Sequence, residues 1–594
     1  MKRILVGALA GIGALVILLV VVVLGVGGLA WTRTGTVPAK TILEVNFTHG
    51  FQEQTPDDPV TGLLLAKPPT VRDVVEALHR AATDDRVVAL IAQIGNAPMG
   101  LAQCQEIRDA VLAFRDRGKR AVAYAATFGE FNAGNGAYYL ATAFETIYLQ
   151  PSGDVGLTGL IAETPFVRGT LDKLDLVPRL DHRYEYKNFM NTLTERHYTA
   201  PHQEATQRVM ESQFAQIIQG IATARGLYPG AVRTLIDRGP FLGPEALQAQ
   251  LVDMLAYRDE VYAQVRAQVG ESAKLLFLSK YLARAGRPYI SGDTIALIYG
   301  VGAVRLGTSD YDPLMDGPTM GAATVTAAFR AAIDDPEVKA ILFRVDSPGG
   351  SYVASDAIWR ETIRAREAGK PVIVSMGNLA GSGGYFVAMA ANKIVAQPGT
   401  ITGSIGVLGG KILTTGLWDK LGLAWDEVHT SANATLWSST HDYTPEQWAR
   451  LQGWLDRVYH DFTTKVAAGR QLPKERVLEI AKGRIWTGED AKERGLVDEL
   501  GGFPVALRLA REAIGRTPDA PIQLKLFPER AAPWEVLFAR LFGDQDESSE
   551  PAEAETTALL MRTVRFVQPV LHLARTLGLM SRPDVLTMPE VRPR

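Results

Sequence analysis

The chain opens on an uninterrupted apolar run. From Ile4 to Trp31 no residue carries a charge, and a helix needs only ~20 apolar residues to cross a bilayer. Lys2 and Arg3 precede the run. The positive-inside rule then places the N-terminus in the cytoplasm and the rest of the chain outside. A cleaved secretory signal is the rival reading, with Gly28-Leu29-Ala30 as its small residues. The run is much longer than the roughly 7–15 residues of a signal's apolar region, so an uncleaved anchor over residues 1–35 is expected. Beyond it, short β-branched runs alternate with helical patterns. Val338–Val345 predicts a buried strand, Ala354–Ala368 a helix, Pro371–Met376 the next strand and Gly384–Ala391 the next helix. Such alternation predicts βαβ units: an α/β fold with a largely parallel sheet under helical cover.

The pattern then repeats. Thr41-Ile42-Leu43-Glu44-Val45 resembles Thr294-Ile295-Ala296-Leu297-Ile298, and Ala89-Leu90-Ile91 resembles Ala340-Ile341-Leu342. Ala133–Tyr138 matches Ala380–Tyr385, and Pro151–Gly159 matches Pro398–Gly406, both at an offset of 247. Tyr198-Thr199 matches Tyr443-Thr444, and Leu251-Val252-Asp253 matches Leu496-Val497-Asp498, both at 245. The order holds while the offset drifts slowly, as short loop deletions produce. The expected organisation is an anchor (1–35), a first repeat (38–285), a second repeat (290–515) and a C-terminal extension with an acidic linker (516–594). Gly286, Pro288 and Gly292 mark the join between repeats. In the extension, Asp544–Glu555 reads as the linker, and Thr557–Met580 as an apolar stretch that Pro569 bends.

Composition narrows the function classes. The 594 residues carry 62 basic and 65 acidic side chains, 47% hydrophobic residues and a net charge of -3. These values fit a folded protein and exclude a disordered, collagenous or rod-like chain. They also argue against a dedicated nucleic-acid binder. The single cysteine, Cys104, can neither form a disulfide within the chain nor build a metal site, and it reads as a small buried apolar residue.

The segment richest in chemistry is Val372–Met389, in which a strand leads through Gly377–Gly384 into a helix. Ser382 sits at that turn. Flanking glycines permit unusual backbone angles, and the helix start offers free N–H groups to an oxyanion. The pattern is close to a G-x-S-x-G elbow with Ala380 in place of the first glycine. By itself it also fits a packing turn with a bystander serine. A second turn, Asp346-Ser347-Pro348-Gly349-Gly350, follows a buried strand and has N–H groups for the other half of an oxyanion site. It also fits a plain β-turn.

A nucleophilic serine needs a base. None of the nine histidines lies in a triad-like context, and neither HExxH nor Cys/His spacing supports a metal. The repeat suggests a lysine instead. Asn135 stands at the first-copy position of Ser382 and Leu157 at that of Ser404, whereas Lys187 in the first copy corresponds to about Ala432 in the second. One copy has the serines and the other the lysine, as a single shared site requires. Lys187 acts as a base only when neutral, so burial must lower its pKa from the usual ~10.4 by a few units. Tyr184, Tyr186, Phe189 and Met190 are the expected apolar cover.

With these motifs, Tyr186-Lys187, Asp346–Gly350, Ala380–Tyr385 and Thr402–Gly406, the chain resembles signal peptide peptidase A of the long, two-domain type. That family comprises membrane-anchored Ser/Lys proteases of the Clp protease/crotonase fold group. The resemblance covers roughly residues 1–515. It implies tandem domains of repeated ββα units with one N-terminal transmembrane helix. It implies Ser382 as nucleophile, Lys187 as general base and Ser404 as the group orienting the lysine. Gly383, Gly349 and Gly350 would supply the oxyanion hole. It further implies a homotetramer and cleaved signal peptides or other apolar peptides as substrates. The expected location is a bacterial inner membrane with the catalytic body on the periplasmic side, and no metal, nucleotide or other cofactor is called for. One departure stands out: many members follow the lysine with Ser-Ala, and here Asn188-Phe189 follow. A non-catalytic membrane scaffold and a crotonase-like acyl-CoA enzyme are the alternatives from other classes.

Overall fold

The computed structural model describes residues 35–54, 69–312, 317–529 and 586–587. The expected anchor lies outside these residues, as does nearly all of the C-terminal extension beyond Glu529. Among the described residues no helix is long and apolar enough to cross a membrane.

Two parallel sheets carry the fold, and they share one strand order. The first runs Met254–Leu255, Thr146–Leu149, Arg120–Ala125, Val87–Ile94, Thr41–Phe47, Lys274–Phe277. The second contains Glu499–Leu500, Lys393–Ala396, Val372–Gly381, Val338–Ser347, Asp293–Val301 and Ile522–Phe527 in the same succession. Within each set every neighbouring pair is parallel. The second sheet extends from Val372–Gly381 to Ile401–Gly403, which pairs antiparallel with Ile485–Thr487. Central strands are buried on both faces, which explains continuous apolar runs such as Ala340–Phe343.

Matched residues make matched bonds. Thr199 and Thr444 each cap a helix of 26 residues, Ala200–Arg225 and Pro445–Arg470. Their hydroxyls accept from His202 N and Gln447 N, satisfying donors that a helix start leaves open. The carboxylates of Asp253 and Asp498 accept from Ile147 N and Ile394 N. The Tyr138 and Tyr385 hydroxyls donate to the carbonyls of Leu251 and Leu496. Each of these matched positions is thus a helix cap or a side-chain hydrogen bond that few other residue types can make.

Several element boundaries shift, and the helix expected over Gly384–Ala391 spans Gly383–Ala388. The strand expected to end at Met376 runs on to Gly381. Past a register shift after Val345, it gains new partners at Ser347 and Ile401–Gly403. Ile522–Phe527 lies beyond residue 515, yet it forms the edge of the second sheet, as Lys274–Phe277 does in the first. Beyond Asp293–Val301 it has only a single bridge, Gln523 to Ile290, and only Ile522 and Phe527 of its residues are buried, which leaves little hydrophobic pattern to read.

The copies are bound together by chain exchange and by buried charge. Val177–His182, from the first copy, pairs antiparallel with Leu408–Leu413 of the second. The helix Leu101–Arg115 packs its polar face on the second sheet. Arg344, at 3% exposure, bonds Glu53 Oε2 at 2.9 Å and Glu106 Oε2 at 2.7 Å. Burial works against the Arg344 charge, and the Glu106 and Glu53 carboxylates more than offset it. Gln103 Nε2 donates to Glu53, and Phe503 N donates to Glu106. No carboxylate in this cluster is left without a donor, as burial demands.

Candidate active site

Ser382 stands between the strand Val372–Gly381 and the helix Gly383–Ala388, with φ 55° and ψ -115°. A non-glycine residue in that region stores roughly 1–3 kcal/mol of strain. It is held there because Ser382 N donates to Gly403 O at 2.8 Å and Phe386 N donates back to Ser382 O. The surrounding glycines are steric requirements. A Cβ on Gly383 would sit 2.7 Å from Ser355 Oγ and 3.0 Å from Gly350 N. The residue after the serine therefore lies directly against the Gly349-Gly350 backbone. Gly349 has φ 98°, and its N–H donates to Ser347 Oγ at 3.2 Å. That engagement leaves Gly349 shaping the turn more than offering a free donor.

Lys187 arrives from the first copy by a defined route. After the inter-copy strand, Arg183 N donates to Val407 O, and Tyr184 turns the chain at φ 67°. Tyr186 N then donates to Lys482 O. These bonds thread Lys187 between two turns of the second copy. Its Nζ lies 2.8 Å from Ser382 Oγ, 3.1 Å from Ser404 Oγ and 3.2 Å from Ser404 O. Lys187, Ser382 and Ser404 are all fully buried. No acidic group offsets the burial of Lys187, which lowers its pKa to about 7. The structure thus brings the three residues together, with Gly383, Gly349 and Gly350 alongside.

Of the residues expected to cover the lysine, Met190 is buried and Tyr184 is 48% exposed. Two glycines of the second copy also lie close to it. Gly406 is so near that an added Cβ would meet Lys187 Cδ at 3.2 Å. On Gly483 an added Cβ would meet Lys187 N at 2.5 Å and its Cα at 2.6 Å. Gly483 was not singled out from sequence. The available signal is Gly239, 244 positions earlier, where an added Cβ would likewise meet Leu157 O, at 2.1 Å.

The equivalent place in the first copy has become a locked turn. Asn135 Oδ1 accepts from Thr158 N and Gly159 N, and its Nδ2 donates to Gly159 O. Cys104 is buried, and burial pushes its thiol up to about 12.

The model of Peptidase family S49 matches residues 113–271 and 364–515, one stretch in each copy. Protease 4 of Salmonella typhi is 34% identical over 74% of this chain and 71% of its own length. Protease 4 of Haemophilus influenzae is 31% identical over 76% and 74%. The chloroplastic serine protease SPPA of Arabidopsis thaliana is 30% identical over 74% and 64%. A solved ClpP1 mutant from Listeria monocytogenes aligns with 37% of the chain at 13% identity and a TM-score of 0.23, too low to bear on the fold. With the family model reaching into both copies and relatives that run through most of the sequence, the chain belongs to Peptidase family S49 and is a serine protease.

Proposed function

We propose that the chain is a Ser/Lys endopeptidase with one active site built from both repeats, acting on signal peptides and other apolar peptides at a membrane. The observation that carries this reading is the 2.8 Å approach of Lys187 Nζ to Ser382 Oγ in a fully buried setting. A neutral amine has two N–H groups and one lone pair. Ser404 O and Oγ accept the two N–H groups, and the lone pair is left for the Ser382 hydroxyl proton.

Neutral Lys187 takes that proton as Ser382 Oγ attacks a peptide carbonyl. The N–H groups of Gly383 and Gly350 receive the oxyanion, a contribution of about 3–4 kcal/mol per donor in comparable sites. Lysine then protonates the leaving amine and activates the water that clears the acyl-enzyme. Asp346 fixes the turn beside this site, since its Oδ1 accepts from Leu379 N at 2.9 Å.

The substrate class and location draw on the sequence and on relatives. The uncharged run Ile4–Trp31 supports a bilayer anchor that holds the body at the surface where cleaved signal peptides remain. A relative from Enterococcus faecium carries the name putative signal peptide peptidase SppA. A bacterial inner-membrane location with a periplasmic body, tandem Clp protease/crotonase-like domains and a homotetramer complete the reading. The test is hydrolysis of a fluorogenic apolar peptide by the detergent-solubilised full-length chain. Ser382→Ala and Lys187→Ala are run beside it and checked for equal folding. Loss of nearly all activity in both supports the shared site. Full activity in Lys187→Ala removes the lysine from the mechanism.

A further inference from the structure

The turn Ala481–Arg484 touches both the lysine's segment and the turn of Ser404. Lys482 O accepts from Tyr186 N, Gly483 N donates to Ile405 O, and Arg484 O accepts from Ser404 N at 2.7 Å. The Arg484 side chain reaches back to the first copy. Its Nη1 lies 2.8 Å from Glu204 Oε1, and the Tyr186 hydroxyl donates to Glu204 Oε2 at 2.7 Å. The guanidinium also lies over the Tyr186 ring, 4.7 Å from its centroid, and over the Trp486 ring at 4.6 Å. Stacking of a planar cation and a carboxylate bond together fix an arginine in a way that a lysine does not reproduce.

Two further observations bear on this arrangement. A cleft of about 410 Å³ opens beside Tyr186, Arg484 and Trp486. Solvent therefore comes up to the residue before the fully buried Lys187. Desolvation is what lowers the pKa of that amine, so a fixed Tyr186 also keeps the amine dry. The cluster, like the dyad, occurs once. Five residues past the helix caps Thr199 and Thr444, the first copy has Glu204 and the second has Ala449. The carboxylate partner of Arg484 is confined to the copy that supplies the lysine.

We propose that Arg484 is a positioning residue for the Ser/Lys site, clamping Tyr186 through its ring and through Glu204 while its own carbonyl fixes Ser404. The proposal rests on the protease reading of Lys187 and Ser382. Arg484 touches no reacting atom. It sets how closely the lysine amine approaches the two serine hydroxyls, and a displacement of ~1 Å there can cost about 100-fold in rate.

The test compares the full chain with Arg484→Ala, Arg484→Lys, Tyr186→Ala and Tyr186→Phe. Arg208→Ala is the control, since it removes a different ion pair between the copies, to Asp490. Arg484→Ala, Arg484→Lys and Tyr186→Ala are expected to lose about 10- to 100-fold in kcat with KM nearly unchanged. Their kcat/KM profiles should rise at a higher pH than that of the unaltered chain, because water that reaches the amine favours its protonated form. Tyr186→Phe keeps the stacked ring and should retain most of the rate, and Arg208→Ala should match the unaltered chain. Arg484→Ala with Tyr186→Ala should cost little more than either alone, as partners in one contact do. Where Arg484→Ala does not fold, the two Tyr186 variants decide. Undiminished kcat in Arg484→Ala or Arg484→Lys overturns the proposal, as does a rise in KM at unchanged kcat or an equal loss in Arg208→Ala. If no form hydrolyses any peptide, the protease reading fails separately, and a readout without turnover decides the clamp. Acylation of Lys187 by acetic anhydride, mapped by mass spectrometry, should be several-fold faster in Arg484→Ala and Tyr186→Ala than in the unaltered chain and Arg208→Ala. Equal acylation in all four overturns it.

Discussion

Lys187 Nζ and Ser382 Oγ lie 2.8 Å apart although 195 positions separate them, and each belongs to a different copy of the repeat. The lysine has no carboxylate partner, and desolvation alone brings its pKa to about 7. Activity should therefore rise with pH through about 7, because the protonated amine cannot accept the serine proton. A pH profile of kcat/KM on an uncharged peptide checks this. A flat profile between pH 6 and 9 would count against lysine as the base.

The same burial destabilises the fold. Between about 7 and the ordinary value of 10.5, the unfolded chain holds a proton that the folded chain lacks. Stability from this group thus rises with pH across that window and is lowest below it. Lys187→Met removes the burden, so it should be inactive and more stable by about 1–2 kcal/mol at pH 7. The advantage should shrink by pH 10. Denaturant unfolding of both forms at the two pH values measures the difference.

Ser404 holds the lysine through its hydroxyl and its carbonyl. Ser404→Ala keeps the carbonyl and loses the hydroxyl. The amine then samples other directions, and kcat should fall about 10- to 100-fold with little change in KM. Ser404→Thr should recover part of the loss. Steady-state kinetics on one peptide separates the two terms.

Gly483→Ala places a Cβ 2.5 Å from the Lys187 backbone at a φ of +81°. It should abolish activity and lower stability through displacement of the lysine, with Ser382 still in place. Labelling by a small serine-directed phosphonate, compared with Gly286→Ala, whose added Cβ meets nothing within 4 Å, reads that selectivity. Equal labelling and equal turnover in all forms would show that the tight turn does not position the base.

Arg344 couples the two copies. Arg344→Ala leaves Glu53 and Glu106 buried without their cation, which should lower stability by about 3–5 kcal/mol. Glu53→Gln with Glu106→Gln in the same chain should restore part of it. Thermal unfolding of the single and triple variants tests the coupling. Additive losses would mean the three side chains act independently.

Much of this was legible in sequence because the repeat recurs in residues that make specific hydrogen bonds. Thr199 and Thr444, and Asp253 and Asp498, recur because caps and buried hydrogen bonds tolerate few substitutes. The exclusive distribution of Ser382, Ser404 and Lys187 between copies marked those residues as belonging together. Less legible was the lysine's cover. The neighbours Tyr184, Tyr186, Phe189 and Met190 suggested apolar cover, and the sequence did not point to Gly483, whose added Cβ would meet the Lys187 backbone. Sequence adjacency does not report which turns of another copy fold over a side chain. The strand Ile522–Phe527 was likewise missed, since an edge strand carries only half of the burial signal.

The sequence by itself determined the α/β class, the duplication and the residue types available for chemistry. Those follow from local periodicity and from side-chain identity, which act over a few residues. Only the tertiary structure decided that Lys187 meets Ser382 and that Arg344 ties the copies together. Each of those contacts depends on how strands from distant parts of the chain pair. Pairing is fixed by the global burial of apolar surface, which no local pattern encodes.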